Sequence, residues 1–181
     1  KRLIMKKIML SLAMALVSVC ASAQVYIGGT AGISSNKIGD GDSKTAYKLI
    51  PEIGYQFNNK WEAGIEVGIQ KGEVCKLSAV GDATTFTIAP YVRYTAIETK
   101  LVDFFFEGTI GYGSVSKGGG DFYEVGIKPG LAVKLSKHVD FITKVGFLGY
   151  RGYSPEHGES SSTFGVDVDA TNISFGAIYK F

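Results

Sequence analysis

The feature that most constrains this chain is a regular alternation of apolar and polar residues that recurs between residues 25 and 181. From Trp61 to Gln70, the odd-numbered positions carry Trp, Ala, Ile, Val and Ile, and the even-numbered positions carry Glu, Gly and Gln. Successive side chains of a β-strand point to opposite faces, whereas the 3.6-residue period of a helix would mix the two classes. The alternation therefore predicts an all-β fold.

The alternation falls into eight segments, which we predict to be strands at residues 25–35, 46–57, 61–71, 84–96, 103–115, 122–135, 139–149 and 171–181. Each has about 10 residues or slightly more, the length that a tilted strand needs to cross a bilayer. The connections alternate between short (residues 58–60, 98–100 and 136–138) and long (residues 36–45, 72–83, 116–121 and 150–170). This arrangement is typical of a closed, eight-stranded, antiparallel up-and-down transmembrane β-barrel. The even number of strands puts both termini at the end with the short turns.

Three prolines recur at a fixed spacing inside predicted strands. Pro51, Pro90 and Pro129 lie 39 residues apart, each on the apolar face of an even-numbered strand. Proline cannot donate a hydrogen bond to the ladder, so within sheets it is found at edges and bulges. We interpret the three prolines as a recurrent bulge that bends the sheet into a small barrel.

The N-terminal residues 1–23 have the parts of an export signal. A positively charged start precedes an apolar run from Ile8 to Val19, which is too short to span a bilayer as a helix. Residues 21–23 (Ala-Ser-Ala) form a cleavage site for signal peptidase. We therefore expect a cleaved signal peptide over residues 1–23 and one barrel domain over residues 24–181.

Charge and cysteine content narrow the function classes. Residues 1–23 hold four of the 19 basic residues and no acidic one, so residues 24–181 carry 15 basic residues against 17 acidic ones. The basic balance of the full chain thus belongs to the export signal and predicts no nucleic-acid partner. Cys20 would leave with the signal. A lipoprotein signal at Cys20 is disfavoured because Val19 is bulky where such signals need a small residue. Cys75 then has no intramolecular disulfide partner.

Alternation alone does not say which face is inside. A soluble barrel buries its apolar face, and a membrane barrel turns that face outward. The polar face is rich in glycine, which suits a crowded interior better than a solvated exterior. Aromatic residues near the strand ends of the apolar face are typical of interfacial girdles. They are Tyr55, Phe57, Trp61, Phe104, Phe141 and Tyr179 at the turn end, and Tyr47, Phe86, Tyr112 and Tyr123 at the loop end. These features favour a membrane barrel.

The chain ends in Phe175-Gly-Ala-Ile-Tyr179-Lys-Phe181, an alternating strand with a terminal aromatic residue. With the eight segments, this ending resembles the small outer-membrane β-barrels of the OmpA and OmpX membrane-domain type. The resemblance covers residues 24–181. It implies a place in the bacterial outer membrane among its lipids and lipopolysaccharide, with both termini in the periplasm. It also implies assembly by the barrel-assembly machinery, which would recognise the strand ending at Phe181. We expect no cell-wall-anchoring domain beyond Phe181.

The polar face carries the candidate site. We predict a charge network inside the barrel, formed by Lys48, Glu52, Glu62, Glu66, Arg93, Glu107, Glu124, Lys128, Lys134 and Lys144. Asp140 and Lys180 share this face. The interior of an eight-stranded barrel is just wide enough for side chains to fill it, and unpaired charges there are costly. We therefore predict a polar plug of ion pairs, with a proton or ion path as the alternative.

A catalytic reading centres on His157, in the connection over residues 150–170 where serine and glutamate are close by. Some small barrels modify lipid through a triad of histidine, serine and an acid. A flexible loop would position such a triad poorly, and His138 falls in a turn at the opposite end. We predict no catalytic residue.

The sequence gives equally little support for a metal or cofactor site. Asp40 and Asp42, even with Asp167 and Asp169 near them, lack the bidentate glutamate of a calcium loop. Cys75 has no cluster of further cysteine or histidine ligands around it. We predict no metal and no cofactor.

The sequence therefore predicts a non-enzymatic outer-membrane barrel with a plugged lumen. Its extracellular loops would serve a structural or surface-interaction role with an unidentified ligand. The first alternative is a narrow channel or transporter for small or hydrophobic solutes, and the second is a lipid-modifying enzyme.

Overall fold

Strands dominate the computed structural model, which describes residues 25–36, 44–72, 83–167 and 173–181. The ten strands are β1 (Val25–Asn36), β2 (Lys44–Gln56), β3 (Trp61–Lys71), β4 (Thr84–Ile97), β5 (Val102–Val115), β6 (Gly120–Lys134), β7 (Val139–Val145), β8 (Phe147–Ser154), β9 (Ser161–Asp167) and β10 (Ile173–Lys180). In these ranges we find no α-helix with the length and apolarity that crossing a bilayer requires.

Eight of these strands close into a ring. Neighbours in sequence pair antiparallel from β1 to β7, and β10 pairs with both β7 and β1. The ring order is therefore β1 to β7 followed by β10, and its last contact joins Phe181 N to Val25 O at 3.1 Å. The predicted closed, antiparallel, eight-stranded barrel is confirmed. A closed barrel leaves no sheet edge unpaired around the ring.

The two ends of the barrel differ as the sequence predicted. We call the end with the short connections 57–60, 98–101 and 135–138 the turn end, and the opposite end the loop end. Side-chain oxygens order the three turns. Asn58 accepts from the backbone N–H groups of Lys60 and Trp61, while Thr99 and Ser136 accept from N–H groups in the other two. Such local acceptors are what favours Asn, Ser and Thr in turns.

The seventh strand of the ring is interrupted at Gly146, between β7 and β8. On β6, Gly130 pairs with Lys144, but Ile127 pairs with Leu148, so the seventh strand holds one extra residue. Gly146 has φ +73°, a conformation that glycine adopts without steric cost. This is a β-bulge. It shifts the alternation, so positions facing the lumen are even-numbered before the bulge and odd-numbered after it.

The sequence predicted a long loop over residues 150–170, but the described part, up to Asp167, is mostly strand. β8 and β9 form a hairpin, paired from Phe147 with Asp167 to Tyr153 with Ser161, and β8 also pairs with β6. The bulge at Gly146 is the physical reason, because it breaks the period-two pattern by which the strand was recognised. The turn of the hairpin lies at residues 155–160.

The interpretation of the three prolines as bulges was wrong for two of them. The register continues without a shift through Pro51 and Pro90. At Pro129 the ladder between β6 and the seventh strand is interrupted, with the bulge at Gly146 on the neighbouring strand. Proline has no N–H to donate there, so it marks a place where pairing lapses at little cost.

The polar face lines the lumen, and the apolar face is the outside of the barrel. β5 shows this most clearly, since buried and exposed residues alternate along it from Phe104 to Gly113. A small apolar cluster of Tyr26, Phe105, Ile142 and Ile178 fills part of the lumen. Outside, ring pairs such as Trp61 with Tyr94 at the turn end and Tyr123 with Tyr150 towards the loop end have centroids 4.7 and 5.8 Å apart.

Several sequence predictions lie outside the described residues. These are the signal peptide over residues 1–23, the connections 37–43 and 73–82 with Asp40, Asp42 and Cys75, and residues 168–172 with Asp169.

Candidate functional site

Arg93 on β4 is the centre of a network of buried charges inside the barrel, and only 3% of its surface is exposed. Its Nη1 lies 3.0 Å from Glu62, and its Nη2 lies 2.8 Å from Glu107 and 3.3 Å from Glu52. Glu62 on β3 and Glu107 on β5 are its direct cross-strand partners, so local register brings these three together. The planar guanidinium suits this role because it presents five donors in a fixed fork.

Lys144 on β7 extends the network across the lumen. Its ammonium lies 2.5 Å from Glu66 on β3 and 2.7 Å from Glu107 on β5. In the ring, β7 and β3 are four strands apart in either direction, so the pair with Glu66 spans the barrel. We call Glu52, Glu62, Glu66, Arg93, Glu107 and Lys144 the central network. Its members come from five of the eight ring strands: β2, β3, β4, β5 and β7.

Aromatic side chains seal the space around the central network. The Tyr91 hydroxyl donates to Glu52 at 2.8 Å and lies 2.9 Å from the Tyr26 hydroxyl. The Arg93 guanidinium lies 4.7 Å from the Phe105 ring centroid and 5.1 Å from that of Tyr91. Cations stacked on aromatic faces in this way gain attraction that strengthens as water is excluded.

Glycines make room for these large side chains. Tyr26 lies directly across from Gly54, Tyr91 across from Gly64, and Phe105 across from Gly130. A Cβ atom at Gly130 would lie 2.3 Å from the Phe105 ring, and one at Gly54 would lie 2.2 Å from the Tyr26 ring. The lumen is thus filled by pairing one large residue with one residue that has no side chain.

A second group of charges lies nearer the loop end. Glu124 on β6 accepts from Lys128 at 2.7 Å and from Arg151 on β8 at 3.2 Å. Lys48 on β2 lines the same cavity as Lys128 and Arg151. We call Lys48, Glu124, Lys128 and Arg151 the loop-half cluster.

The turn end has its own ion pairs. Lys180 lies 2.8 Å from Asp140 and 3.8 Å from Glu62. Lys134 lies 2.9 Å from Asp103 and is more exposed than the central cations. These pairs form the rim of the barrel at the turn end.

All ten residues of the predicted charge network face the lumen. Six of them form the central network, and Glu124 and Lys128 form a separate pair nearer the loop end. Lys134 lies at the turn-end rim, and Lys48 makes no ion pair with any described residue. Arg151 was not among the predicted residues, because the bulge that turns it into the lumen was not anticipated. Tyr26 and Tyr91 were not predicted either, although each faces a glycine on the neighbouring strand.

The two histidines lie at opposite ends of the barrel. His138 is in a turn at the turn end, where its Nδ1 lies 2.9 Å from Lys180 O and its ring stacks on Tyr179. His157 is exposed in the hairpin turn at the loop end. Within the described ranges, no three side chains of His, Cys, Asp or Glu are grouped as a metal ion would need.

Solved structures resemble this chain in fold. No family profile and no curated protein sequence matches it. The crystal structure of the outer membrane protein OprG from Pseudomonas aeruginosa matches with a TM-score of 0.51 and 19% identity, over 87% of this chain and 96% of that chain. The fold is that of a small outer-membrane β-barrel.

Two further barrels match at lower TM-scores. Neisserial surface protein A matches with a TM-score of 0.47 and 18% identity, over 87% of this chain and 95% of that chain. The outer membrane protein Ail of Yersinia pestis matches with a TM-score of 0.46 and 16% identity, over 87% of this chain and 99% of that chain.

Proposed function

We propose that this protein is a non-enzymatic barrel of the bacterial outer membrane, with a plugged lumen and with its loop end at the cell surface. Among the described residues, 27 large apolar side chains are exposed, against nine apolar residues that are buried. Exposing so large an apolar surface to water would be unfavourable, whereas the acyl chains of lipids would cover it. A structural or surface-interaction role at the loop end fits a lumen that does not conduct.

The ion pair between Lys144 and Glu66 is the main support for a plugged lumen. It joins opposite walls of the barrel, and Glu107 ties it to Arg93 at the same time. Moving an ion past this point would require separating buried, hydrogen-bonded charges. This costs roughly 3–5 kcal/mol when one partner of a buried ion pair is lost. The network therefore acts as a fixed plug.

Planar-bilayer recording tests the plug. The purified, refolded chain is expected to give no steady conductance above that of the lipid alone. The variant K144A, which removes the bridge between opposite walls, is the comparison and should conduct more than the wild type. K134A, altered only at the turn-end rim, should behave as the wild type does. A stable, reproducible conductance from the wild-type protein would instead favour a narrow channel.

The proposal extends to export and orientation. Residues 1–23 would be removed as a signal peptide, and both termini of the barrel domain over residues 24–181 would lie in the periplasm. An epitope inserted in the exposed turn 155–160 should be labelled by antibody on intact cells. An epitope in the turn 57–60 should be labelled only after the outer membrane is permeabilised, and labelling in the reverse order would contradict the orientation.

The same proposal includes the partners of the barrel. The aromatic outer face would contact outer-membrane lipids, with lipopolysaccharide around the loop end. β10 pairs with both β7 and β1, so it is the strand that closes the ring. Recognition of the strand ending at Phe181 by the barrel-assembly machinery would therefore act before closure. The ligand of the loop end stays unidentified.

A further inference from the structure

Charge inside the barrel is balanced in total but separated along the axis. The central network has two cations, Arg93 and Lys144, against four carboxylates. The loop-half cluster has three cations against the single carboxylate of Glu124. The excess of positive charge therefore lies on the side of the lumen that is nearer the loop end.

The loop-half cluster borders a cavity of about 210 Å³ inside the barrel. Its wall carries four cations, Lys48, Lys128, Lys144 and Arg151, and one carboxylate, Glu66. Thr30 and Ser174 add hydroxyl groups to the same wall. Such a cavity holds charged and neutral hydrogen-bond donors that converge on one space.

The four cations differ in how far carboxylates neutralise them. Lys144 is bound by Glu66 and Glu107, while Lys128 and Arg151 share Glu124. Lys48 lines the cavity without an ion pair or hydrogen bond to any residue that the structure describes. Its half-buried ammonium group shares the wall with three other cations and one carboxylate, Glu66, which Lys144 already binds. A further anion would therefore lower the cost of this excess positive charge.

We propose that this cavity binds a small oxyanion of the phosphate class, free or as part of a phosphorylated molecule. Lys48 provides one charge that no described residue pairs with, and Lys128 and Arg151, which share the single carboxylate of Glu124, provide one more. Thr30 and Ser174 donate to the remaining oxygens. Several convergent charged donors suit a multivalent oxyanion, which accepts strong, charge-assisted hydrogen bonds. The site is independent of the orientation of the barrel and of whether the lumen conducts.

The test compares thermal unfolding of the refolded chain in non-ionic detergent, with sodium phosphate or with sodium chloride at equal ionic strength. Phosphate is expected to raise the unfolding midpoint of the wild type, because a ligand that binds the folded state stabilises it. The variant K48Q should bind phosphate roughly tenfold or more weakly, the loss expected for one charge-assisted contact. The matched control K134Q, at the turn-end rim, should keep the full response.

The chloride arm separates lost binding from misfolding. K48Q removes a like charge and no ion pair among described residues, so its midpoint in chloride should be no lower than that of the wild type. A second arm replaces detergent with vesicles of uncharged lipid, with or without an anionic phospholipid. A response to phosphate identifies a soluble source, and a response to the phospholipid alone identifies a headgroup. The proposal is overturned if neither probe stabilises the wild type, or if K48Q responds as strongly as the wild type.

Discussion

At the scale of single residues, the lumen is governed by the need to neutralise buried carboxylates. Glu52 and Glu66 are directly opposite each other on β2 and β3, an arrangement that is destabilising for like charges. Each is bound by a different cation, Glu52 by Arg93 and Glu66 by Lys144. The two cations thus neutralise a pair of carboxylates that would otherwise destabilise the contact between β2 and β3.

The first prediction concerns Arg93, which contacts three carboxylates. Its replacement in R93A should lower the free energy of unfolding by about 3–5 kcal/mol, since Glu52, Glu62 and Glu107 would lose a buried partner. Urea unfolding in detergent or lipid vesicles measures this. K134A is the control, because its partner Asp103 lies at the more exposed rim, and it should cost less than about 1 kcal/mol. Equal losses for the two variants would contradict the role of burial.

The second prediction concerns the space that glycine leaves in the lumen. In G130A the new Cβ would meet the Phe105 ring at 2.3 Å and the Thr143 carbonyl at 2.7 Å. Overpacking of this kind costs about 1–3 kcal/mol. G165A on β9 is the matched control, because a Cβ there meets nothing within 4 Å. Its unfolding curve should match that of the wild type, and a loss as large as that of G130A would contradict overpacking of the lumen as the cause.

Part of the site follows from local register, and part does not. Glu62, Arg93 and Glu107 lie on the same face of three consecutive predicted strands, so their contact follows once the strands are aligned. The contact of Lys144 with Glu66 crosses the lumen and depends on the diameter and tilt of the barrel. Alternation contains neither quantity, and pairing across the lumen could not be predicted from it.

At the scale of elements, the bulge at Gly146 decides what the seventh strand presents to the lumen. It moves the inward positions from even to odd numbers, which brings Phe147 and Arg151 inside. The adjacent apolar residues Phe147 and Leu148 are the sequence signal of this shift, next to a glycine that breaks the pattern. If no bulge is assumed, the residues after Gly146 do not continue the alternation and are assigned to a loop.

The third prediction tests the bulge directly. Replacing Gly146 by valine disfavours the φ of +73° that the bulge needs, and a regular strand in its place would turn Arg151 outward and Tyr150 inward. The variant G146V should therefore fail to refold to the compact form that migrates faster than the unfolded chain on electrophoresis without heating. G165V, at a glycine of β9 whose φ is not positive and whose side-chain space is open, is the control and should leave refolding intact. Normal refolding of both variants would show that the register beyond Gly146 is not fixed by the bulge.

At the scale of the whole molecule, the number of strands, their order and the closure of the ring follow from the sequence. The period and length of the segments and the alternation of turns determine these features, because each has a direct physical cause in strand geometry. The separation of charge along the axis did not follow. The sequence gives equal numbers of lumen cations and carboxylates, and their division between the two halves depends on the stagger of the strands.

The outward direction of the apolar face can be tested by measuring which face of β5 contacts lipid. Single tryptophans are placed at Phe104, Phe105, Phe106 and Ile110 in a W61F background, and their fluorescence is quenched by lipids brominated on the acyl chains. Phe106 and Ile110 are 51% and 63% exposed, and Phe105 is 2% exposed. Strong quenching is expected at positions 106 and 110, and little at position 105. Strong quenching at 105 with little at 106 and 110, or quenching of all by aqueous iodide alone, would contradict a barrel that turns its apolar face to the membrane.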